Sequence, residues 1–426
     1  MVVGSGGREH ALVWKLAQSP HVVRMWCAPG NAGITQERLV KNRALVEPVA
    51  ITSGDLPELL TFARENKVDL TVVGPDNPLG LGIVDLFQKN NLRIWGPNQK
   101  AAQFETSKAF AREFMEKYGI PTPRSATFEL AEQAQDFAAS LGGRCAVKAD
   151  GLALGKGVVL CRGVADADRA IEDILVRRRF GAAGGKIVIQ ELLEGIEISL
   201  HALCDGKTAK LFPASQDHKQ ALDGDRGLNT GGMGAYSPVP FLRESQADEI
   251  GKKILGPWLL GCASEGVDFR GILYPGVMLT KDGPKVLELN ARFGDPETQV
   301  YLTQLESDLV EVLEASLDGT LGEGTLTWSP MVSICVVMAS GGYPDLYAKG
   351  KTITGLEEAA QMPNTKIFHA GTVNAGERVL TDGGRVLGVT AWGEDLKKAR
   401  DAAYRAVHKI HFDGAEFRHD IAAKGL

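Results

Sequence analysis

The chain has 426 residues with 50 glycines, 6 cysteines and 44% hydrophobic residues, a balance that buries a core and excludes disorder and a small disulfide scaffold. Its 47 basic and 53 acidic residues give a net charge of -6, without the basic footprint of a nucleic-acid binder, although a few lysines, arginines and amides suffice for small anionic substrates. No cysteines pair as CxxC, and the longest plain apolar run, Met331 to Ala339, is too short to span a membrane, so a cytoplasmic protein with buried, reduced thiols is expected.

Residues 1–100 alternate short apolar runs with helical patterns. Val2-Val3 leads into Gly4-Ser5-Gly6-Gly7 and a helix over Arg8 to Gln18; a strand over Val22 to Ala28 ends at Pro29-Gly30-Asn31. Helices over Pro57 to Asn66 and Leu81 to Asn90 flank strands at Val68 to Val73 and Leu92 to Trp95, which predicts a parallel, helix-covered sheet. One long helix is expected over Lys100 to Tyr118, stopped by Gly119-Ile120-Pro121. Strands then follow at Cys145 to Ala149, Gly157 to Cys161 and Lys186 to Glu191, with a helix over Asp166 to Arg178. Asp282-Gly283 predicts a hairpin turn between Val277 to Thr280 and Lys285 to Leu289. A last unit starts near Ser329, with strands at Met331 to Ala339 and Val386 to Ala391 and a helix from Leu396 to Ile410.

The first glycine turn invites a dinucleotide reading, but Glu9 stands at the sixth position, where that fingerprint needs glycine or alanine. No acidic residue closes the second strand, so a phosphate-bearing metabolite fits the turn better than NAD. In Val147-Lys148-Ala149-Asp150-Gly151-Leu152-Ala153-Leu154-Gly155-Lys156-Gly157, Gly157 occupies the place of the Walker serine or threonine, and a strand follows. The segment therefore reads as a hairpin whose glycines let the backbone close over phosphates, with Lys148 drawn into a strand by an anionic partner. After Glu191, Leu193 and Glu197 have the chemistry to receive an adenine and a ribose. In Glu288-Leu289-Asn290-Ala291-Arg292, alternation puts Glu288, Asn290 and Arg292 on one face and Leu287 with Leu289 into the core. Carboxylate plus amide oxygen suits magnesium, and Arg292 suits charge on a transferring phosphoryl group. His218, between Asp217 and Lys219, reads as a hydrogen-bond partner, because no second histidine lies nearby in sequence.

In order, GGREHAL at Gly6 to Leu12, PGNAG at Pro29 to Gly33, VKADGLALGKGV at Val147 to Val158, SQDHK at Ser215 to Lys219, NTGGMGAYSP at Asn229 to Pro238 and FGDPETQ at Phe293 to Gln299 resemble the glycinamide ribonucleotide synthetase (phosphoribosylamine–glycine ligase) family of the ATP-grasp superfamily. The resemblance spans nearly the whole chain. It implies a multi-domain α/β and α+β fold: an N-terminal parallel-sheet substrate-binding domain over 1–100, a linker helix and start of ATP-grasp over 101–123, a lid subdomain over 124–194, a core subdomain over 195–328 and a mixed C-terminal domain over 329–426. It implies ligation of glycine to 5-phosphoribosylamine through a glycyl phosphate, in purine biosynthesis, with ATP as co-substrate and magnesium or manganese as metal. A monomer without nucleic-acid or membrane partners is expected.

By the same resemblance, Lys108, Lys148, Gly151, Gly155, Lys156 and Gly157 hold ATP phosphates. Glu191 and Leu193 receive adenine, Glu197 the ribose, and Glu288 and Asn290 the metal. Arg292, Asp217 and Lys219 serve the reacting groups, while Gly6, Gly7, Arg8, Asn31 and Asp295 meet the amine substrate. The alternatives are another ATP-grasp carboxylate–amine ligase and, in a different class, a dinucleotide-dependent oxidoreductase.

Overall fold

The computed structural model describes residues 1–151 and 157–426. The first sheet is wholly parallel, in the order Glu47–Pro48, Trp26–Pro29, Val2–Gly4, Thr71–Val73, Ile94–Trp95. Strand alternation divides its apolar residues between two cores. Val2, Cys27 and Val72 pack with Leu12 and Leu16 of the helix Gly7–Leu16, whereas Val3, Ala28 and Val73 pack with Leu59 and Phe87 of the helices Leu56–Glu65 and Ile83–Lys89.

The unit expected to be ATP-grasp has two antiparallel lobes. The first sheet runs Ser125–Phe128, Ile187–Glu191, Arg144–Ala149, Val158–Arg162. Its helices Ala131–Ser140 and Val164–Ile171 cover the face carrying Cys145, Val147 and Ala149. By the same alternation Lys148 points to the opposite face, toward the second lobe. That lobe is built on Arg270–Thr280, with Ile196–Ser199 and Ala202–Asp205 paired along it and Gly283–Asn290 folded back on it. The turn between these last two strands lies at Lys281-Asp282, and both strands extend beyond the expected ranges.

A fourth sheet orders Gln216–Asp217, Gly234–Ser237, Val332–Ser340, Arg385–Gly393, Thr365–His369, with Ala415–Glu416 paired to Val332–Ser340. The segment that carries Asp217 is thus stitched into the sheet of the chain's last quarter. Helix Leu396–Val407 covers this sheet through Ala399, Ala403 and Val407. The parallel N-terminal unit, the two-lobed ATP-grasp unit and the mixed C-terminal unit expected from sequence are all present.

Three local expectations need correction. The single helix over Lys100 to Tyr118 is two helices, Gln99–Thr106 and Lys108–Lys117. Ser107 between them is extended, at φ -135 and ψ 108, and its hydroxyl caps the second helix by accepting from the Phe110 amide. The apolar periodicity runs through both helices, which hid the break. The helix after Val158–Arg162 is regular only over Val164–Ile171 and continues as a π-turn, Glu172–Val176. Leu287, assigned to the core with Leu289, sits at a bulge: Glu288 pairs with Gly276 but Val286 with Val277. The extra residue shifts the alternation, so Val286 is buried beside Leu289 while Leu287 is half-buried.

Candidate active site

The bulge frees the Leu287 carbonyl from the ladder, and two groups of the opposite lobe use it. Lys148 Nζ donates to it at 2.9 Å and Gln190 Nε2 at 3.3 Å. Lys148 is buried, and burial pulls its pKa down to about 8; Glu288 works against that, while Lys108 and Lys219 add to it. The expected anionic partner is therefore Glu288, one residue beyond the carbonyl that Lys148 grips. Lys108, the first residue of its helix, reaches the Gly151 carbonyl at 3.2 Å. The Ser107 break makes this reach possible. Asp150 accepts from the Ser107 hydroxyl and the Ala109 amide, both at 3.1 Å, which ties the end of the strand Arg144–Ala149 to the helix start.

Lys219 comes to the same place from just beyond the strand Gln216–Asp217 of the fourth sheet. Its ammonium donates to Glu197 Oε1 at 2.5 Å and Glu288 Oε1 at 3.1 Å. Burial opposes the Lys219 charge, but Glu197 and Glu288 raise its pKa well above the ordinary lysine value. Reciprocally, Lys219 is the main reason that Glu288 is held down to about 2. Lys108, Lys148, Lys219, Glu197 and Glu288 thus form one cluster on facing lobes. Glu191 lies at the end of its strand, with Oε1 accepting from the Arg124 amide at 2.7 Å. Leu193 is half-buried just beyond it.

Beyond Glu288 the strand turns toward a second group. Arg292 pairs with Glu105 at 2.7 Å, and Glu105 also accepts from the Ala291 amide at 2.8 Å. Burial opposes the Arg292 charge and Glu105 with Asp76 restores it, leaving its pKa raised. The Arg292 Nε has no partner among the described residues. Asn290 donates its amide to the Tyr274 carbonyl at 3.2 Å, leaving Oδ1, among the described residues, with only a long 3.4 Å contact from Arg292. Asp217 has its proton affinity raised by burial and by the nearby Glu297, against the pull of Lys219.

The N-terminal turn closes the far side. A Cβ on Gly7 would stand 2.6 Å from Gln299 Nε2 and 3.4 Å from Asp295 Oδ1, so glycine is required for that approach. Arg8 donates to Glu9 at 2.6 Å and to the Phe293 carbonyl at 3.0 Å. Glu9 also accepts from the Gly6 amide at 2.6 Å, which closes the turn where a dinucleotide fingerprint would leave it open. Burial opposes the Asp295 charge, but Arg385 and Arg8 hold the carboxyl below its ordinary range. Asn31 is placed differently from Gly6, Gly7 and Arg8. Its amide bridges the Ser5 and His369 carbonyls at 2.8 Å each, while Oδ1 accepts from the Gly33 and Ile34 amides. These bonds hold the turn together and, through His369, tie it to the C-terminal unit. Of the phosphate-loop candidates, Gly151 and Gly157 are described, whereas Gly155 and Lys156 lie outside the described residues. His218 is a hydrogen-bond partner as expected: Nδ1 faces the Gly234 carbonyl at 3.2 Å and Nε2 accepts from the Ala422 amide at 3.3 Å.

Three family models match the chain: the phosphoribosylglycinamide synthetase N domain over residues 1–105, its ATP-grasp (A) domain over 106–298 and its C domain over 333–424. The chain belongs to the phosphoribosylglycinamide synthetase family. The phosphoribosylamine–glycine ligase of Allochromatium vinosum is 47% identical, over 100% of this chain and 98% of that one. That of Vibrio cholerae is 45% identical over the same shares, 100% and 98%. The crystal structure of the Thermotoga maritima phosphoribosylamine–glycine ligase aligns with a TM-score of 0.81 at 33% identity, covering 99% of each chain. A biotin carboxylase domain from Hydrogenobacter thermophilus aligns with a TM-score of 0.75 at 16% identity, covering 98% of this chain and 91% of that one, a likeness of fold alone.

In this synthetase-family chain, several residues at the site were not among the expected site residues. Arg385 reaches in from the C-terminal sheet, donating to the Gly231 carbonyl at 2.7 Å and pairing with Asp295 at 3.4 Å. Glu105, Ser107 and Asp150 hold the site's edge, and Glu297 accepts from the Ser199 and Tyr274 hydroxyls. Ser107 and Asp150 were visible in principle, as a helix cap and a strand-end acid. Arg385 had no sequence signal.

Proposed function

We propose that the chain joins glycine to 5-phosphoribosylamine at the expense of ATP, giving glycinamide ribonucleotide, ADP and phosphate. The observation that carries this reading is the facing of Lys108 and Lys148 from one side and Glu288 with Lys219 from the other, beside a glycine turn held against Asp295 and Arg385. The lysines neutralise the ATP phosphates, Glu191 and Leu193 receive the base, and Glu197 the ribose. Gly6, Gly7 and Arg8, with Asp295, line the place of the phosphoribosylamine.

The donor set fits a hard divalent cation. Glu288 is ionised throughout the neutral range, Asn290 offers a weakly engaged amide oxygen, and Gly276 opposite leaves room beside Glu288, a Cβ there standing 3.5 Å from Glu288 Cγ. Glu288 and Asn290 would hold magnesium or manganese, which would supply charge neutralisation to the transferring phosphates. The chain's own residues do the rest. Arg292, kept charged by Glu105, stabilises the phosphoryl group as it passes to the glycine carboxylate. Lys219 fixes the facing carboxylates. Asp217, with its raised proton affinity, takes the proton shed by the attacking amine as phosphate leaves the glycyl carbon. The two lobes exclude water from the acyl phosphate.

Glycine labelled with heavy oxygen in its carboxylate tests this sequence. One labelled oxygen is expected in the released phosphate; label retained wholly in the product would refute the glycyl phosphate.

A further inference from the structure

Lys219 lies at the base of a hairpin, Gln220–Leu222 with Arg226–Asn229, that is fastened from the far end of the chain. Arg418 is the key donor, its side chain only 1% exposed. Its Nε and Nη2 donate to the two oxygens of Asp420 at 2.7 Å each. Its Nη1 donates to the Gln220 carbonyl at 3.2 Å and to Asp225 Oδ1 at 3.0 Å. Asp420 also accepts from the Gly224 amide at 2.8 Å, and Asp223 accepts from the His419 amide at 2.7 Å. Lys424 pairs with Asp225, and the Ala422 amide reaches His218. Residues on both sides of Lys219 are therefore gripped by one short segment.

That segment is itself anchored. Arg400 donates to the His419 carbonyl at 2.7 Å and to the Ile421 carbonyl at 3.0 Å. The Tyr404 hydroxyl donates to the Arg418 carbonyl at 2.7 Å and accepts from the Ile421 amide at 3.1 Å. Gly234 admits Ile421 against its backbone; a Cβ there would stand 2.7 Å from Ile421 Cδ1. A rigid helix thus holds the tail, the tail holds the hairpin, and the hairpin presents Lys219 to Glu197 and Glu288. A planar guanidinium buried against two carboxylates and a carbonyl has one geometry available, which is what a positioning device requires.

We propose that Arg418, locked by Asp420, is a positioning residue for the ligase reaction: through Gln220 and Asp225 it sets where the Lys219 ammonium stands between the two carboxylates. The inference rests on the reading of Lys219 as an active-site group. Arg418 touches no reacting atom; it acts through Lys219. Misplacement of a reacting group by roughly 1 Å costs about a hundredfold in rate. Arg418→Met is therefore expected to lower kcat about a hundredfold, with a smaller rise in KM for ATP, because Lys219 touches Glu197, the ribose residue, whereas Lys148 and Glu191 lie on the opposite lobe. Arg418→Lys keeps the charge without the fork and should recover part of the loss.

A double-mutant cycle with Lys219→Met decides the matter. If Arg418 acts through Lys219, the double variant retains a kcat within about threefold of Lys219→Met alone. Full multiplication of the two losses would overturn the proposal, as would wild-type kcat in Arg418→Met. Wild-type kcat in Lys219→Met would overturn the reading of Lys219 itself, and the positioning role with it. Should Arg418→Met fail to fold, Asp225→Asn, which removes one acceptor of the clamp, takes its place in the cycle, with about a tenfold loss expected alone and the same non-additivity with Lys219→Met.

Discussion

Replacing Lys148 by methionine separates what the fold wants from what the reaction needs. Methionine keeps the length of the stem and its packing while removing the charge. Lys148 is 6% exposed, and its pKa falls from an ordinary 10.5 to about 8, chiefly through burial. At neutral pH the native state therefore disfavours the ammonium by about 3 kcal/mol, at roughly 1.4 kcal/mol per tenfold change in proton affinity. The lost hydrogen bond to Leu287 returns about 1 kcal/mol. Lys148→Met without nucleotide is accordingly expected to be more stable than the wild type by on the order of 2 kcal/mol at pH 7. Because the native pKa is the lower one, the wild-type penalty is full below about 8 and fades as pH rises toward 10.5, so the difference in urea midpoint should close over that interval. With ATP the order reverses. A charge-assisted hydrogen bond to phosphate is worth about 1.5–3 kcal/mol, so KM for ATP should rise roughly ten- to a hundredfold in initial-rate assays of ADP release. A variant that loses stability at pH 7 and keeps the wild-type KM would refute the argument.

Three further outcomes follow from the geometry. Glu288→Gln keeps the shape but removes the charge that a cation needs; kcat should fall at least about a hundredfold at low magnesium and recover in part at high magnesium or with manganese. Gly232 has φ +112, and a Cβ there would stand 2.6 Å from Pro296 Cδ and 2.8 Å from Asp217 Oδ1. Gly232→Ala should therefore depress kcat through displacement of Asp217, while circular dichroism shows a folded chain, at a local cost of about 1–3 kcal/mol. At the contact between the N- and C-terminal units, burial pushes the Glu37 carboxyl up, but His10 and Lys366 bring it to about 2 against an ordinary 4.5. Its contribution of about 3 kcal/mol is present above pH 4.5 and lost as pH falls toward 2, so the deficit of Glu37→Gln in urea midpoint should shrink over that range.

Much of this arrangement was legible in the residues. The parallel sheet followed from strand and glycine alternation, and the placement of Lys148 inside a strand pointed to the anionic neighbour that Glu288 supplies. What stayed hidden were events that break a period. Ser107 interrupts a helix whose apolar face runs on through it, and only Asp150, brought close by folding, makes the break favourable. The bulge at Leu287 reverses side-chain alternation with no glycine or proline beside it in its own strand; the glycine there, Gly276, stands on the facing strand. Asn31 has the chemistry of a ligand-binding amide, and its full set of bonds to the turn and to His369 emerges only when residue 369 is beside it. Arg385 and Arg418 act across 154 and 198 positions of chain, and nothing local distinguishes them from surface arginines.

The central claim is that phosphoryl transfer from ATP is coupled to both glycine and phosphoribosylamine on this one chain. The direct measurement is ADP release with magnesium and ATP, supplying glycine and phosphoribosylamine separately and then together. Sustained release with both substrates, and only a small fraction of that rate with either alone, is the predicted result. Release at the same rate without either substrate would contradict the account.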